Sequence, residues 1–506
     1  MGQGNKNRIS AREATPAILE KIDIKSAQTG SKDSVSVVNG TSRVLYWESI
    51  LADSIRASVT FTDAGNTLKT TKLTRRGRRP TAKKISAVEG LPIQGNEEVY
   101  LKFTDNLGNT LSFGKKKDNS FKVNARIDLP TGNETSNKSY MLDLATEDWL
   151  NNEEGGTKVR SCMSGLVSNH VKTILKDFLK TKKDYSDIEQ TRNKEDYDGQ
   201  NAKALFCLNE LSKSAVPGDA KQTGKTAGYF FWETSEGYHF KSIDTLMSQE
   251  HKIKIIYNET SEKIPVGYNV KALSLKTNNK VNVKRRKQVG ADFTSFKAID
   301  LYNLKLTNIE LSGEKNAESS EVKLAGEKLP TIKSAFDSEG KADSNHTRNI
   351  WKFISTGQRH FGPIDQQLSE SKEINFDVKG VFTQSLMRYN QLFASEVTVV
   401  IPGDFSLHAG DAVWVDIPQT DVTENKACGD EVDKETGGKY LIVDLCHYIT
   451  ARDTYTKLVL IRDSFGRKGS PTKGSLLSGS GRDAQGKSRH DLGMSKKEWN
   501  EYRRSQ

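Results

Sequence analysis

The nearest this chain comes to a phosphate-binding loop is GDAKQTGKT, Gly218 to Thr226. A phosphate loop needs four residues between its glycines so that successive backbone N–H groups can wrap the anion. This segment has five, which puts Asp219 where the glycine must stand. It also follows a helical pattern and precedes a strand, the reverse of the required order, so a plain loop is expected. Metal chemistry fares no better. The four cysteines (Cys162, Cys207, Cys428 and Cys446) include no C-x-x-C. Cys446 and His447 are adjacent, so on a strand they point to opposite faces. A buried structural Cys446 and a partly exposed His447 are expected. The acidic loop DVTENKACGDEVDKETGG lacks the alternating ligand spacing of a calcium loop. Neither H-E-x-x-H nor G-x-S-x-G occurs. The expectation is a chain with no catalytic residue, no metal and no cofactor.

What remains is recognition chemistry. Two basic clusters, TRRGRRP (Arg75, Arg76, Arg78, Arg79) and VKRRKQ (Lys284, Arg285, Arg286, Lys287), are dense enough to contact phosphates or acidic protein surfaces. Neither is interleaved with aromatics for base stacking, so solvated loops or docking onto acidic neighbours is favoured over direct DNA binding. Tyr229, Phe231 and Trp232, in the aromatic run YFFW, are most simply a hairpin core. They are also candidate partner contacts, because aromatics are enriched at interfaces.

The elements that would position these residues are mostly strands. SEVTVVIPGDFSLHAGDAVWVDIP and GGKYLIVDLCHYITARDTYTKLVLIRDSFG read as four consecutive strands with turn residues between them. Leu441, Val443, Leu445 and Ile449 are expected on one face. Ile55, Ala57, Val59 and Phe61 alternate with polar residues, as do Val99, Leu101 and Phe103, then Phe121, Val123, Ala125 and Ile127. Met163, Leu166, Val167, Ile174, Leu175, Phe178 and Leu179 recur at helical steps, and a second helix fits NAKALFCLNELSKSA. GYFFWETSEGYHFKSIDTLM reads as a hairpin. Val378, Val381, Phe382, Ser385, Tyr389 and Leu392 share a further helical stripe.

The fold class expected is α+β, mainly β, with two antiparallel tube-type β-barrel modules flanking a mixed α+β middle region. The divisions are an N-terminal extension at 1–40, a first barrel module at 41–150, and a helical segment with aromatic hairpin at 151–250. A mixed β region at 251–380 follows, with a polar insertion at 311–345, and strands near 281–310 could join the second barrel. That barrel spans 381–466, and a basic flexible tail occupies 467–506.

A length of 506 residues suits two to four domains at about 100–200 residues each. Hydrophobic residues make up 35%, low enough that long solvated loops or surfaces closed by other subunits are expected. Over half of the formal charge of +11 lies in the 467–506 tail. The few cysteines suit a reducing compartment. Neither a signal peptide nor a membrane-spanning run is evident, so a soluble chain made in a cytoplasm is expected.

Three stretches, in order, resemble one family. LYWESILADSIRASVTFTDAGNT with LPIQGNEEVYLKFTDNLGNTLSF is similar to the N-terminal tube block of baseplate hub proteins from contractile-tailed, T-even-like bacteriophages. GYFFWETSEGYHFKSIDTL resembles the family's aromatic hairpin. The strands between Ser395 and Gly466 resemble its C-terminal tube block. The resemblance spans 41–466 in patches and rests on ordered patterns rather than on any one chemical residue. It implies a structural virion protein: a homotrimeric ring in the tail baseplate, assembled in the host cytoplasm, that adapts a sixfold tail tube to a threefold central spike. The implied partners are further copies of this chain, the spike protein, the tail tube protein and the surrounding wedge proteins. The tape measure protein and genomic DNA would pass through the lumen, with no membrane insertion. The insertion at 311–345, the basic loop at 73–84 and the 467–506 tail depart from shorter members. A hub of a related contractile injection or secretion machine is the alternative within the class. A basic nucleic-acid-binding protein is the alternative outside it.

Overall fold

Period-two alternation dominates this sequence, and the computed structural model is accordingly a mainly-β α+β fold. It describes residues 15–27, 34–63, 91, 93–114, 119–129, 138–218, 228–257, 264, 267–279, 284, 288, 293–300, 305–312, 348–353, 389, 392–393, 395–417 and 437–463.

The first module contains β1 (Ile18–Lys25), β2 (Ser34–Ser36), β3 (Thr41–Ser49), β4 (Arg56–Asp63), β5 (Glu98–Thr104), β6 (Thr110–Phe113), β7 (Phe121–Leu129) and β8 (Lys138–Thr146). Hydrogen bonds connect them in the order β2–β1–β5–β7–β8–β4–β3, with β6 beside β5. Val44 and Tyr46, Ala57, Val59 and Phe61, and Leu142 and Leu144 turn to one core. Residues 15–27 and 34–40, expected as part of an extension, lie against this module. β1 pairs with β5 along its length, and Ile22 and Ile24 are fully buried.

The middle region starts with α1 (Glu147–Asn151), capped by the Thr146 hydroxyl. Then come β9 (Cys162–Leu166), α2 (Val167–Thr173) with a wide turn at Ile174–Phe178, β10 (Asp187–Ile188), β11 (Lys194–Asp198) and α3 (Ala204–Ser214). The expected long helix therefore begins only at Val167. Gly165 takes φ +128, which no helix accommodates, and Met163 lies on β9 paired with β11. The aromatic hairpin is β12 (Tyr229–Thr234) and β13 (Gly237–Ser242), followed by α4 (Ile243–Ser248).

The second module starts earlier than its sequence pattern indicates, with β14 (Ile253–Ile256), β15 (Val270–Lys271) and β16 (Ser274–Asn279). β17 (Phe293–Asp300), β18 (Lys305–Ser312) and β19 (Arg348–Phe353) form a separate sheet in the order β18–β17–β19. The strands near 281–310 thus pair with each other and with β19 rather than with those of the second module. β20 (Ser395–Pro402), β21 (Ala412–Asp416), β22 (Gly438–Thr450) and β23 (Thr454–Arg462) complete the module. Its pairings run β14–β21–β22–β23–β20–β16, and β15 pairs back with β14. Between β15 and β16, Ala272 N–H donates to Ile256 O and Leu273 N–H to Val400 O, beside the module's core. The module is not purely antiparallel, because β14 runs parallel to both β15 and β21. The helical stripe ending at Leu392 lies outside the described residues except for Tyr389 and Leu392, which pack on the hairpin.

β22 joins the two modules. It is 13 residues long and pairs with β23 on one side. On its other side it pairs first with β21 and then, from Asp444 to Thr450, with β3. A register shift between Ile442 and Asp444 re-aims the strand. Leu441 and Val443 therefore face the hairpin cluster, Leu445 the second core and Ile449 the first. The expected single face does not exist.

Ile22→Ala and Ile24→Ala should each cost about 2–5 kcal/mol of stability, because each leaves a cavity in the first core. Urea unfolding of the full chain measures this; unchanged stability would return β1 to the status of an appendage.

Candidate functional site at the seam between the modules

Val44, Tyr46 and Glu48 share the inner face of β3, so a carboxylate stands where the alternation calls for an apolar side chain. Its side chain is wholly buried. Oε1 accepts from the Tyr46 hydroxyl at 2.6 Å and from Ser235 N–H, in the hairpin turn, at 3.0 Å. Oε2 accepts from Ala409 N–H at 2.9 Å, and His408 Nδ1 lies 3.1 and 3.2 Å from the two oxygens. One side chain thus ties the first module to the hairpin and to the loop before β21. Burial alone would push this carboxyl up. The His408 charge and N–H, the Tyr46 hydroxyl and the Ala409 N–H outweigh burial and hold it at about 2. Burial likewise works against charge on His408, but Glu48, Asp411 and Glu236 raise it above its ordinary value.

His447, on β22, lies behind this pair. It is fully buried, stacked on Tyr46 at 5.9 Å and edge-on to Phe405 at 4.8 Å. Nδ1 shares a hydrogen bond with the Thr456 hydroxyl at 3.0 Å, while Nε2 has no hydrogen-bond partner among the described residues. Burial pushes this imidazole down to about 3, against the pull of Glu48 and with a further push from the His408 charge. The expectation for residues 446–447 is therefore reversed. His447 is inside, and Cys446 is the half-exposed thiol. The shift at Val443 sets which of the pair faces the cores.

A second buried network holds the hairpin from the other side. Lys183 Nζ bonds Glu233 and lies 3.5 Å from Asp148. Asp148 also accepts from the Tyr238 hydroxyl at 3.0 Å and the Thr181 hydroxyl at 2.6 Å. Glu233 accepts from Ile55 N–H, just before β4, at 3.3 Å. Burial opposes the lysine charge, but the two carboxylates outweigh it and hold the ammonium above its ordinary value. Burial keeps the Glu233 carboxyl raised despite the shared cation. Trp232 Nε1 donates to Ala409 O at 3.0 Å. Gly410 takes φ +92, and a Cβ there would stand 2.6 Å from the Trp232 ring.

Among the described residues, the one arrangement with the connectivity of a nucleophile relay is Thr234–His239–Asp187, at 2.8 and 2.6 Å. Thr234 is 3% exposed, and its hydroxyl accepts from Glu236 N–H to close the hairpin turn. The Trp232 ring stacks on His239 at 5.1 Å. These contacts build a turn and leave the hydroxyl no room to meet a substrate.

Of the residues singled out from sequence, Tyr229 and Phe231 lie in the core of the middle region, and Trp232 in the cluster joining hairpin to second module. All three are buried within the chain. Lys284 is exposed; Arg285, Arg286 and Lys287, the cluster Arg75, Arg76, Arg78 and Arg79, the loop after Gly218 and Cys428 lie outside the described residues. Among the described residues no three His, Cys, Asp or Glu side chains group as metal ligands. Sequence reasoning missed Glu48, His408, Lys183 and Glu233. Only Glu48 carries a signal, as a charge on an apolar face.

No protein-family profile and no curated protein matches this sequence. Solved structures similar in shape are tail and secretion-machine proteins. A tail protein from Neisseria meningitidis is 9% identical with a TM-score of 0.44, over 88% of this chain and 99% of its own. The 43 kDa tail protein of prophage MuSo2 from Shewanella oneidensis is 9% identical with a TM-score of 0.43, again over 88% and 99%. An Escherichia coli component of the type VI secretion system is 10% identical with a TM-score of 0.37, over 89% and 80%. Likeness at this level does not say which residues act.

Glu48→Gln strands His408 and should cost roughly 3–5 kcal/mol. Glu48 contributes stability above its ordinary 4.5 that is lost as pH falls from there through about 2. His447 must stay neutral, so its contribution is complete above 6.5 and falls as pH drops from 6.5 towards 3, on the order of 4 kcal/mol in all. The His408 contribution runs the other way, complete below 6.5 and lost as pH rises through its raised value. Denaturant unfolding across pH should therefore peak near 6.5, and His447→Phe should flatten the acid limb. An unchanged acid limb in that variant would contradict the assignment.

Proposed function

We propose that this chain is a structural tail-baseplate hub. Three copies form a ring in which two modules per chain meet a sixfold tail tube on one side and a threefold central spike on the other. The observation that carries this reading is a single antiparallel sheet crossing both modules in the order β7–β8–β4–β3–β22–β23–β20–β16. A chain whose modules share one sheet cannot hinge between them, and a symmetry adaptor must hold two like surfaces at a fixed rotation. The buried Glu48 and Lys183 networks act in the same sense, since bending the seam would strand charges in the interior. The quoted tube-block patterns fall on β3–β6 and β20–β23, the strands flanking the seam. On this reading the work is geometric. Partners are further copies, the spike, the tube and the surrounding wedge proteins, in the virion.

Light scattering of the purified chain at two salt concentrations tests the ring. The expected result is a salt-insensitive species of three times the chain mass. A monomer that binds DNA with affinity falling steeply with salt would overturn the reading in favour of a nucleic-acid-binding protein.

A further inference from the structure

Lysine side chains are seldom taken fully out of water, yet Lys183 is buried. It lies between two buried carboxylates, Asp148 on α1 and Glu233 on β12, with Nζ 5.5 Å from the centre of the Tyr238 ring. Around it Phe231 stacks on Tyr238 at 5.4 Å, and Leu179 completes an apolar wall. Desolvating ions is costly, and a buried ion pair is often no more stable than neutral groups in its place. Condensing the amine with one of the carboxyls removes both charges at once.

The two carboxyls are held differently. Asp148 Oδ2 accepts from the Tyr238 hydroxyl at 3.0 Å and from the Thr181 hydroxyl at 2.6 Å, and Lys183 Nζ lies 3.5 Å from the same oxygen. Two donors on one carboxyl oxygen draw electron density from its carbon. They also stabilise the negative charge that an attacking amine places on that oxygen. A fixed contact of this kind holds amine and acid at an effective concentration far above any reached in solution. Glu233 has the other geometry. One of its oxygens bonds Lys183 Nζ directly, and the other accepts from Ile55 N–H at 3.3 Å. Its side chain is wholly buried, and burial keeps its carboxyl raised, so it takes up a proton readily.

We propose that Lys183 and Asp148 condense within the folded chain to an isopeptide bond, with Glu233 as the proton carrier. The Nζ–Cγ bond forms, and one Cγ–O bond of Asp148 breaks. Of the three ammonium protons, one stays on the amide nitrogen. The other two pass in turn through the Glu233 carboxyl to the departing oxygen, which leaves as water. No oxidant, reductant or co-reactant enters the balance. The bond closes residues 148–183 into a covalent loop that carries β9 and α2, and it fixes α1 to the segment after α2 beneath the aromatic hairpin. This inference is independent of the ring reading and stands whether or not the chain assembles.

Mass spectrometry of the full chain, purified folded and then denatured, tests the bond. The expected mass is one water below that of the sequence, and a tryptic digest should yield a branched peptide joining the Asp148 and Lys183 segments. Asp148→Asn should form the same amide by releasing ammonia instead, and so reach the same final mass as the unsubstituted chain. Glu233→Gln and Lys183→Arg should each keep the full mass of their sequence. An unsubstituted chain that stays at its full sequence mass while held folded overturns the proposal, even if every variant fails to fold. A lost water mapped to any other residue, or a branch at Glu233 in place of Asp148, overturns it equally. A Glu233→Gln chain that still loses water overturns the part given to Glu233.

Discussion

One strand has to serve two hydrophobic cores, and the arrangement of both modules follows from how β22 does it. A strand of uniform pleat sends alternate residues to one face throughout. β22 instead shifts register at Val443, which lets Leu445 lie in the second core and Ile449 in the first while the backbone stays hydrogen-bonded to β23. β3 then adds along the outer half of β22, and the first module is built outwards from β3. Removing that shift would turn His447 and Ile449 to the opposite face and leave β3 a polar strip to pair against.

The buried charges at the seam specify the arrangement more than they strengthen it. Taking a carboxylate out of water costs several kcal/mol, and an apolar pair of the same size is often as stable. An apolar pair, however, tolerates sliding. Glu48 accepts from groups in three different segments, Tyr46, Ser235 and His408–Ala409, and only one relative placement satisfies them all. Lys183 imposes a similar condition between α1, the segment after α2, and β12. The hairpin between these networks behaves as a wedge, with Trp232 bonded to Ala409 and Gly410 left bare to admit its ring.

The sequence displays the strands well, because burial on one face leaves a period-two trace in Val59, Phe61, Val413 and Val415. It hides what depends on distant partners. β14 to β16 are short, and β15 and β16 end in polar residues, so nothing local assigns them to a module whose other strands begin more than a hundred residues later. The shift at Val443 has no glycine or proline to mark it, so the sequence does not show that Leu441 and Val443 face away from Leu445 and Ile449; His447, two residues from each of the latter, shares their face. The helix expected from Met163 fails at Gly165, where spacing looked helical but the backbone is not. Of the site, Glu48 alone is legible as a charge among apolar neighbours. Lys183, Glu233 and His408 become a site only when the chain brings them together.

The central claim is that two modules act as one rigid unit because they share a sheet, and end-on averaged electron micrographs of the purified assembly test it most directly. For the proposed ring the account predicts six similar lobes around an open centre, with the two lobes of one chain joined by a continuous wall. Separate lobes at variable angles, with gaps between the two modules of one chain, would contradict it.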